Sequence, residues 1–279
     1  MCNSMTGYTY YLLSLLFYIF LITMAYDVNT ESISVAAWNM RCNTSISQDY
    51  LRKLATVSDI IAVSEHGLFE CELHKLNALI PGYHSIGKSS KQLCNVQVGS
   101  RQGTGGCAIL WNTEKFKYKI RPLPNLGTDR SVVLEINTGC EKYFVVSVYM
   151  PHQTCRISNY KAELDQLQWI LNECMPHGRC IIVGDFNAHF SQSYGVRCWG
   201  TSNSNAPKLN MFVNSNEMNI VDLGPIADGP QWTYSGYHGN TYIDHMVVQS
   251  SMVQHIESCT VLSDDICQTI LHCYSNSPL

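Results

Sequence analysis

The run Ile181-Ile182-Val183-Gly184-Asp185-Phe186-Asn187-Ala188-His189 says more about this chain than any other stretch. Apolar residues suited to a buried strand end in Gly184, and a carboxylate, an amide and an imidazole follow. On an extended chain residues i and i+2 share a side, which predicts Asp185 and Asn187 facing one site while Phe186 turns into packing. An aspartate can orient or deprotonate a water, and an amide can hydrogen-bond a phosphoryl oxygen as charge gathers on it. The pair therefore suits phosphodiester hydrolysis. The same residues also fit a plain strand followed by an Asp/Asn turn.

Four more apolar runs end in, or enclose, polar groups that such a site needs. Ser34-Val35-Ala36-Ala37-Trp38-Asn39 delivers an amide. Asp59-Ile60-Ile61-Ala62-Val63-Ser64-Glu65-His66 holds an apolar run that reads as a strand buried on both faces and ends in a carboxylate. Glu65 is the natural metal ligand, because magnesium takes hard oxygen donors and commonly uses only one or two protein carboxylates besides water and substrate phosphate. Tyr143 to His152 would set the phenol of Tyr149 beside a phosphate, and Thr241-Tyr242-Ile243-Asp244-His245 places an acid within a strand. Singly, Asn39, Tyr149 and Asp244 fit equally well as a turn residue, a core aromatic and a hydrogen-bonded strand acid.

Taken in order, Trp38-Asn39, Ser64-Glu65-His66, Tyr149-Met150-Pro151, Gly184 to His189 and Tyr242-Ile243-Asp244-His245 resemble the endonuclease/exonuclease/phosphatase superfamily. Within it they are most similar to the endonuclease domain of non-LTR (LINE-type) retrotransposons. The resemblance spans residues 32–274 and includes Gly105-Gly106-Cys107-Ala108-Ile109-Leu110-Trp111-Asn112. It implies an α/β fold of two packed mixed or antiparallel sheets flanked by helices, a four-layer DNase I-like sandwich with the site at one edge. Carried over by position, it implies Asn39 and Glu65 as the metal pair, with Mg2+ or alternatively Mn2+, and Tyr149 as the phosphate-side phenol. Asp185 would activate water, Asn187 would stabilise the pentacovalent phosphorus, and Asp244 would orient a catalytic histidine.

The chain departs from the family's closing Ser-Asp-His. Ser263-Asp264-Asp265 keeps the acid and loses the imidazole, whereas Thr269-Ile270-Leu271-His272 keeps the imidazole and loses the acid. The second alignment is preferred and makes His272 the catalytic histidine. Arg41 is a further departure, standing where apurinic-site relatives carry an acid. An arginine there can contact phosphate or sit solvated on a loop. The implied function is a DNA-nicking endonuclease, intracellular and nuclear if it acts on genomic DNA. The alternatives are the same chemistry on a phospholipid, an inositol phosphate or RNA, and a catalytically impaired relic. The loops at 88–104 and 191–206 would select among substrates.

Composition fits one large domain: 279 residues, 46% hydrophobic and 14% charged. A net charge of −4 carries no global nucleic-acid signature, so binding must rest on local groups such as Lys88, Lys91 and Arg101, or Arg156 and Lys161. The 13 cysteines lack zinc-type spacing and read as free thiols in a reducing compartment. Residues 1–31 read as an apolar leader, in which uncharged Tyr8 to Ala25 is long enough for a marginal membrane segment. Residues 275–279 read as a tail. Helices are expected at Ser47 to Val57, at Ser158 to Cys174 with Tyr160, Leu164, Leu167 and Leu171 on one face, and from Asn205 with Pro207 in the first turn.

Overall fold

The computed structural model describes residues 19–26, 31–90, 105–116, 119–236 and 239–262. In chain order the strands are β1 (Ile19–Tyr26), β2 (Glu31–Asn39), β3 (Ile60–Ser64), β4 (Tyr83–Lys88), β5 (Cys107–Asn112), β6 (Ile120–Pro122), β7 (Ser131–Asn137) and β8 (Lys142–Tyr149). They continue as β9 (Arg179–Asp185), β10 (Met218–Ile220), β11 (Ala227–Asp228), β12 (Tyr234–Gly236), β13 (Gly239–Thr241), β14 (Asp244–Gln249) and β15 (Ile256–Val261). Among the described residues three α-helices interrupt them: α1 (Ser45–Leu54), α2 (Ile157–Cys174) and α3 (Ala206–Ser215).

The strands form a seven-stranded sheet ordered β11-β15-β1-β2-β3-β5-β4 and a six-stranded sheet ordered β10-β14-β9-β8-β7-β6, with β12 and β13 as a separate hairpin. The sheets pack face to face where β3 meets β8 and β5 meets β7. Sandwiched strands have both faces covered, and every residue of β3 is buried, as its unbroken apolar run predicts. Helices α2 and α3 cover the second sheet, and Tyr160, Leu164, Leu167 and Leu171 of α2 are all buried as expected. Helix α1 starts at a reciprocal cap in which Thr44 and Ser47 satisfy each other's backbone donors. Its Tyr50 lies 5.9 Å, centroid to centroid, from the buried ring of Trp38.

The boundary placed at residue 32 is corrected. Residues 19–26, read as part of an apolar leader, form β1 and pair antiparallel with both β2 and β15 inside the seven-stranded sheet. An apolar run of this length has no periodicity that separates a buried strand from a helix, so only its pairing settles the matter. Among the described residues no helix is long and apolar enough to cross a membrane. No two of the described cysteines are joined in a disulfide.

Candidate active site

Strand register fixes the frame of the site. Parallel pairing of β2 with β3 sets Asn39 beside Ser64, and just beyond it Glu65 takes a left-handed φ of +54°. That turn is held by main-chain bonds: Glu65 N–H to the Gly106 carbonyl at 2.9 Å and Cys42 N–H to the Glu65 carbonyl at 2.7 Å. Gly106 is obligatory here, since its φ is +87° and a Cβ would lie 2.4 Å from His66 Nε2. His66 itself is a brace. It is fully buried, Nδ1 accepts from Leu68 N–H, Nε2 pairs with the Lys88 carbonyl, and burial lowers its pKa.

In the second sheet Tyr149 pairs with Asp185 across β8 and β9, and Asp185 pairs with Asp244 across β9 and β14. Three candidate side chains thus come level from the pairing of one residue, Asp185. Asn187 reaches the same place by a route other than strand alternation. Its φ is +48°, and its N–H donates to Asp185 Oδ1 at 2.9 Å, so the two residues form an Asp-led turn rather than consecutive positions on a strand face. Its Nδ2 donates to the Met150 carbonyl at 2.9 Å, while Phe186 is completely buried as expected.

The amide of Asn39 links the two sheets at the site. Asn39 Nδ2 donates to Glu65 Oε1 at 2.9 Å and to Asp185 Oδ2 at 3.0 Å, while its Oδ1 accepts from Arg41 N–H at 3.1 Å. Around this bridge the electrostatics are unfavourable for carboxylates. Burial, and then the charge of Glu65, pushes Asp185 up to about 7. Asp244 is also raised well above the usual carboxylate range, by burial and then by Asp185. The Thr233 hydroxyl bonds the Asp244 side chain and accepts from the N–H groups of Ile243 and Asp244. Tyr149 is half-buried, with the Arg130 guanidinium 5.0 Å from its ring centroid. Burial, followed by the charges of Glu65 and Asp185, raises its phenol.

These groups line an open cleft of about 770 Å3 together with Arg41, Cys42, His152, Asn203 and Tyr234. Among the described residues no three His, Cys, Asp or Glu side chains converge in the manner of a closed metal cage. The donor set nevertheless suits a hard divalent cation, which needs only one or two carboxylates and keeps its remaining positions for water and phosphate. Asn39 presents nitrogen to the acids, and turning its amide over would present oxygen.

Of the residues expected from sequence, Asn39, Glu65, Tyr149, Asp185, Asn187 and Asp244 surround this one cleft. His272 and Ser263-Asp264-Asp265 lie outside the described residues. His189, part of the opening run, is buried away from the cleft, with Nδ1 accepting from Tyr242 N–H at 3.1 Å. Lys88 is committed to the carbonyls of Leu126 and Gly127 and does not act as a loop cation. Sequence reasoning missed Asn205, a buried amide that donates to the carbonyls of Pro151 and Asn187 and so ties two site loops together. It also missed the fully buried His245, whose ring bonds Asp222 Oδ2 and the Ala188 carbonyl, both at 2.7 Å. Their only sequence signal is polarity beside a motif.

This is the endonuclease/exonuclease/phosphatase fold. Residues 143–267 match the family model described as endonuclease-reverse transcriptase. The chain is similar to the endonuclease domain of TRAS1, a telomere-specific non-LTR retrotransposon, with a TM-score of 0.64, 18% identity, and coverage of 86% of this chain and 97% of that one. It is similar to the AP endonuclease LMAP from Leishmania major, with a TM-score of 0.60, 12% identity and coverage of 94% and 89%. A third likeness is to the 3'-5' exonuclease NExo from Neisseria meningitidis, with a TM-score of 0.59, 15% identity and coverage of 85% and 97%. No curated protein sequence matches the chain. In this fold the edge where the Asn39, Glu65, Asp185 and Asp244 ends of the two sheets meet is the candidate active site.

Proposed function

We propose that the chain is a metal-dependent phosphodiester hydrolase that nicks DNA. The observation that carries the reading is the trio of Glu65, Asp185 and Asp244 at the cleft, two of them bridged by the amide of Asn39. Like charges gathered in a buried place are costly, and their repulsion is relieved when a divalent cation binds among them.

Glu65, with Asn39 after its amide turns, would hold Mg2+ or Mn2+, and the bound ion would neutralise charge developing on a phosphoryl oxygen. Asp185 accepts the proton of the attacking water; a carboxylate raised towards neutrality is suited to that role. One hydrogen of Asn187 Nδ2 is held by the Met150 carbonyl, which leaves the other for a phosphoryl oxygen. Tyr149 offers its phenol, kept protonated by burial and by the neighbouring acids. Asp244 would orient the imidazole of His272, and the product of the reaction is a nicked duplex. The likeness to the endonuclease domain of a telomere-specific non-LTR retrotransposon supports DNA as the substrate, and action on genomic DNA would place the protein in the nucleus.

The test is nicking of supercoiled plasmid by the full chain in Mg2+ or in EDTA, beside Glu65→Gln, Asp185→Asn and His272→Ala. Cation-dependent nicking that drops by about 100-fold or more in the first two variants is expected. Equal rates for wild type and Asp185→Asn would dismiss the mechanism, and retained activity in His272→Ala would remove His272 from it.

A further inference from the structure

Left-handed backbone is concentrated at the cleft. Of the five described non-glycine residues with positive φ, four line it: Arg41 at +45°, Cys42 at +81°, Glu65 at +54° and Asn187 at +48°. Such conformations cost energy in each case and persist where the surroundings enforce them, which occurs chiefly at working sites. Glu65 and Asn187 are accounted for by the chemistry above. The Arg41-Cys42 turn is not.

This turn fixes a cation. Arg41 N–H donates to Asn39 Oδ1, which ties the residue to the amide that bridges the two acids. Its guanidinium carbon lies 4.7 Å from the ring centroid of Tyr234 in the β12–β13 hairpin. Stacking occupies a face of the guanidinium, whereas its five N–H donors lie in the plane, so packing on a ring and gripping an oxyanion are compatible. Arg41 and His152 are the only described side chains lining the cleft that can carry positive charge. Its electrostatic attraction to Asp244 offsets part of the acidic charge. Charge balance with Asp244 alone would need neither a strained turn nor an aromatic support that is itself 39% exposed.

We propose that Arg41, steadied by Tyr234, is a substrate-binding residue that grips a backbone phosphate of a nucleic-acid strand in the cleft. This rests on the nuclease reading for its choice of substrate, and it adds a phosphate-positioning contact beyond the catalytic residues. Arginine suits the task because its planar fork can meet two phosphate oxygens at once.

The test separates binding from cleavage. Fluorescence anisotropy of a labelled duplex oligonucleotide is measured in EDTA over a range of KCl, using full-length wild type, Arg41→Met, Arg41→Lys, Tyr234→Phe and Tyr234→Leu, each checked for folding by circular dichroism. Arg41→Met is expected to weaken binding roughly 10-fold or more and to lower the slope of log K against log[KCl] by about one phosphate contact. Arg41→Lys should keep the slope, Tyr234→Phe should match wild type, and Tyr234→Leu should weaken binding with the slope retained. Tyr234→Leu carries the test if Arg41→Met does not fold. Unchanged affinity and slope in folded Arg41→Met, or no binding by wild type, would overturn the proposal. Arg41-dependent binding by a wild type that does not nick in Mg2+ would uphold it while the hydrolase reading fell. Nicking by wild type with no effect of Arg41→Met on binding would do the reverse.

Discussion

Replacing Asp185 with asparagine should stabilise the metal-free protein at the same time as it removes activity. Asp185 is 3% exposed, stands directly across the β9–β14 ladder from Asp244, and shares the Asn39 amide with Glu65. Burial and then Glu65 raise it from its ordinary value of 3.8 to about 7. An acid raised on folding keeps its proton in the native state across that window while the unfolded chain has lost it. The native state is therefore favoured near pH 4, and this advantage disappears as pH rises towards 7. Above pH 7 the ionised group costs on the order of 4 kcal/mol, an upper figure because Asp244 shares the titration. The introduced amide is not equivalent at every bond: one of the two donors now facing Asp185, Asn187 N–H or Asn39 Nδ2, would lose its acceptor, at about 1–2 kcal/mol. The net expectation in EDTA at pH 8 is a gain of about 2 kcal/mol, seen as a higher urea midpoint than wild type. The difference should shrink or reverse at pH 5. Added Mg2+ should raise the wild-type midpoint more than that of Asp185→Asn. A variant less stable than wild type at pH 8 in EDTA would refute the picture of carboxylates held in mutual repulsion.

Other positions give independent readings. Asn39→Asp adds a carboxylate between Glu65 and Asp185, so its melting temperature should fall in EDTA and recover with Mg2+ by a larger step than wild type shows, measured by calorimetry. Gly106→Ala should destabilise by about 2 kcal/mol or more, because the new Cβ meets His66 in a left-handed backbone; urea unfolding reads this directly. Asn205→Ala strips a buried donor from the carbonyls of Pro151 and Asn187 and should cost about 1–3 kcal/mol, with a fall in kcat as Asn187 loosens. Asp222→Ala leaves the fully buried His245 Nδ1 and Met246 N–H without their acceptor and should cost roughly 3–5 kcal/mol by the same measurement.

Much of this molecule is legible before folding. Apolar runs such as Ile60–Ser64 and Arg179–Asp185 are strands because length, β-branched content and flanking turns agree, and a strand end is the place where polar residues can leave a core. Asn39, Glu65, Tyr149, Asp185 and Asp244 were visible on that ground, and the order of their motifs pointed to the sandwich fold. Local pattern fails where the decisive partner is distant in sequence. Strand β1 has no signal distinguishing it from a helix until β2 and β15 pair with it. His66, His189 and His245 look like site imidazoles beside their motifs, yet each is buried with backbone or side-chain partners.

Which residue types arrive at the ends of which strands is therefore a local matter, since hydrophobic periodicity and turn chemistry act over a few residues. What those residues do to one another is settled by folding. Register brought Asp244 opposite Asp185, sheet packing brought Asn39 within hydrogen-bond reach of an acid 146 residues away, and the β12–β13 hairpin placed Tyr234 under Arg41. Charge repulsion, burial and stacking depend on through-space distance, which the order of residues along the chain does not contain.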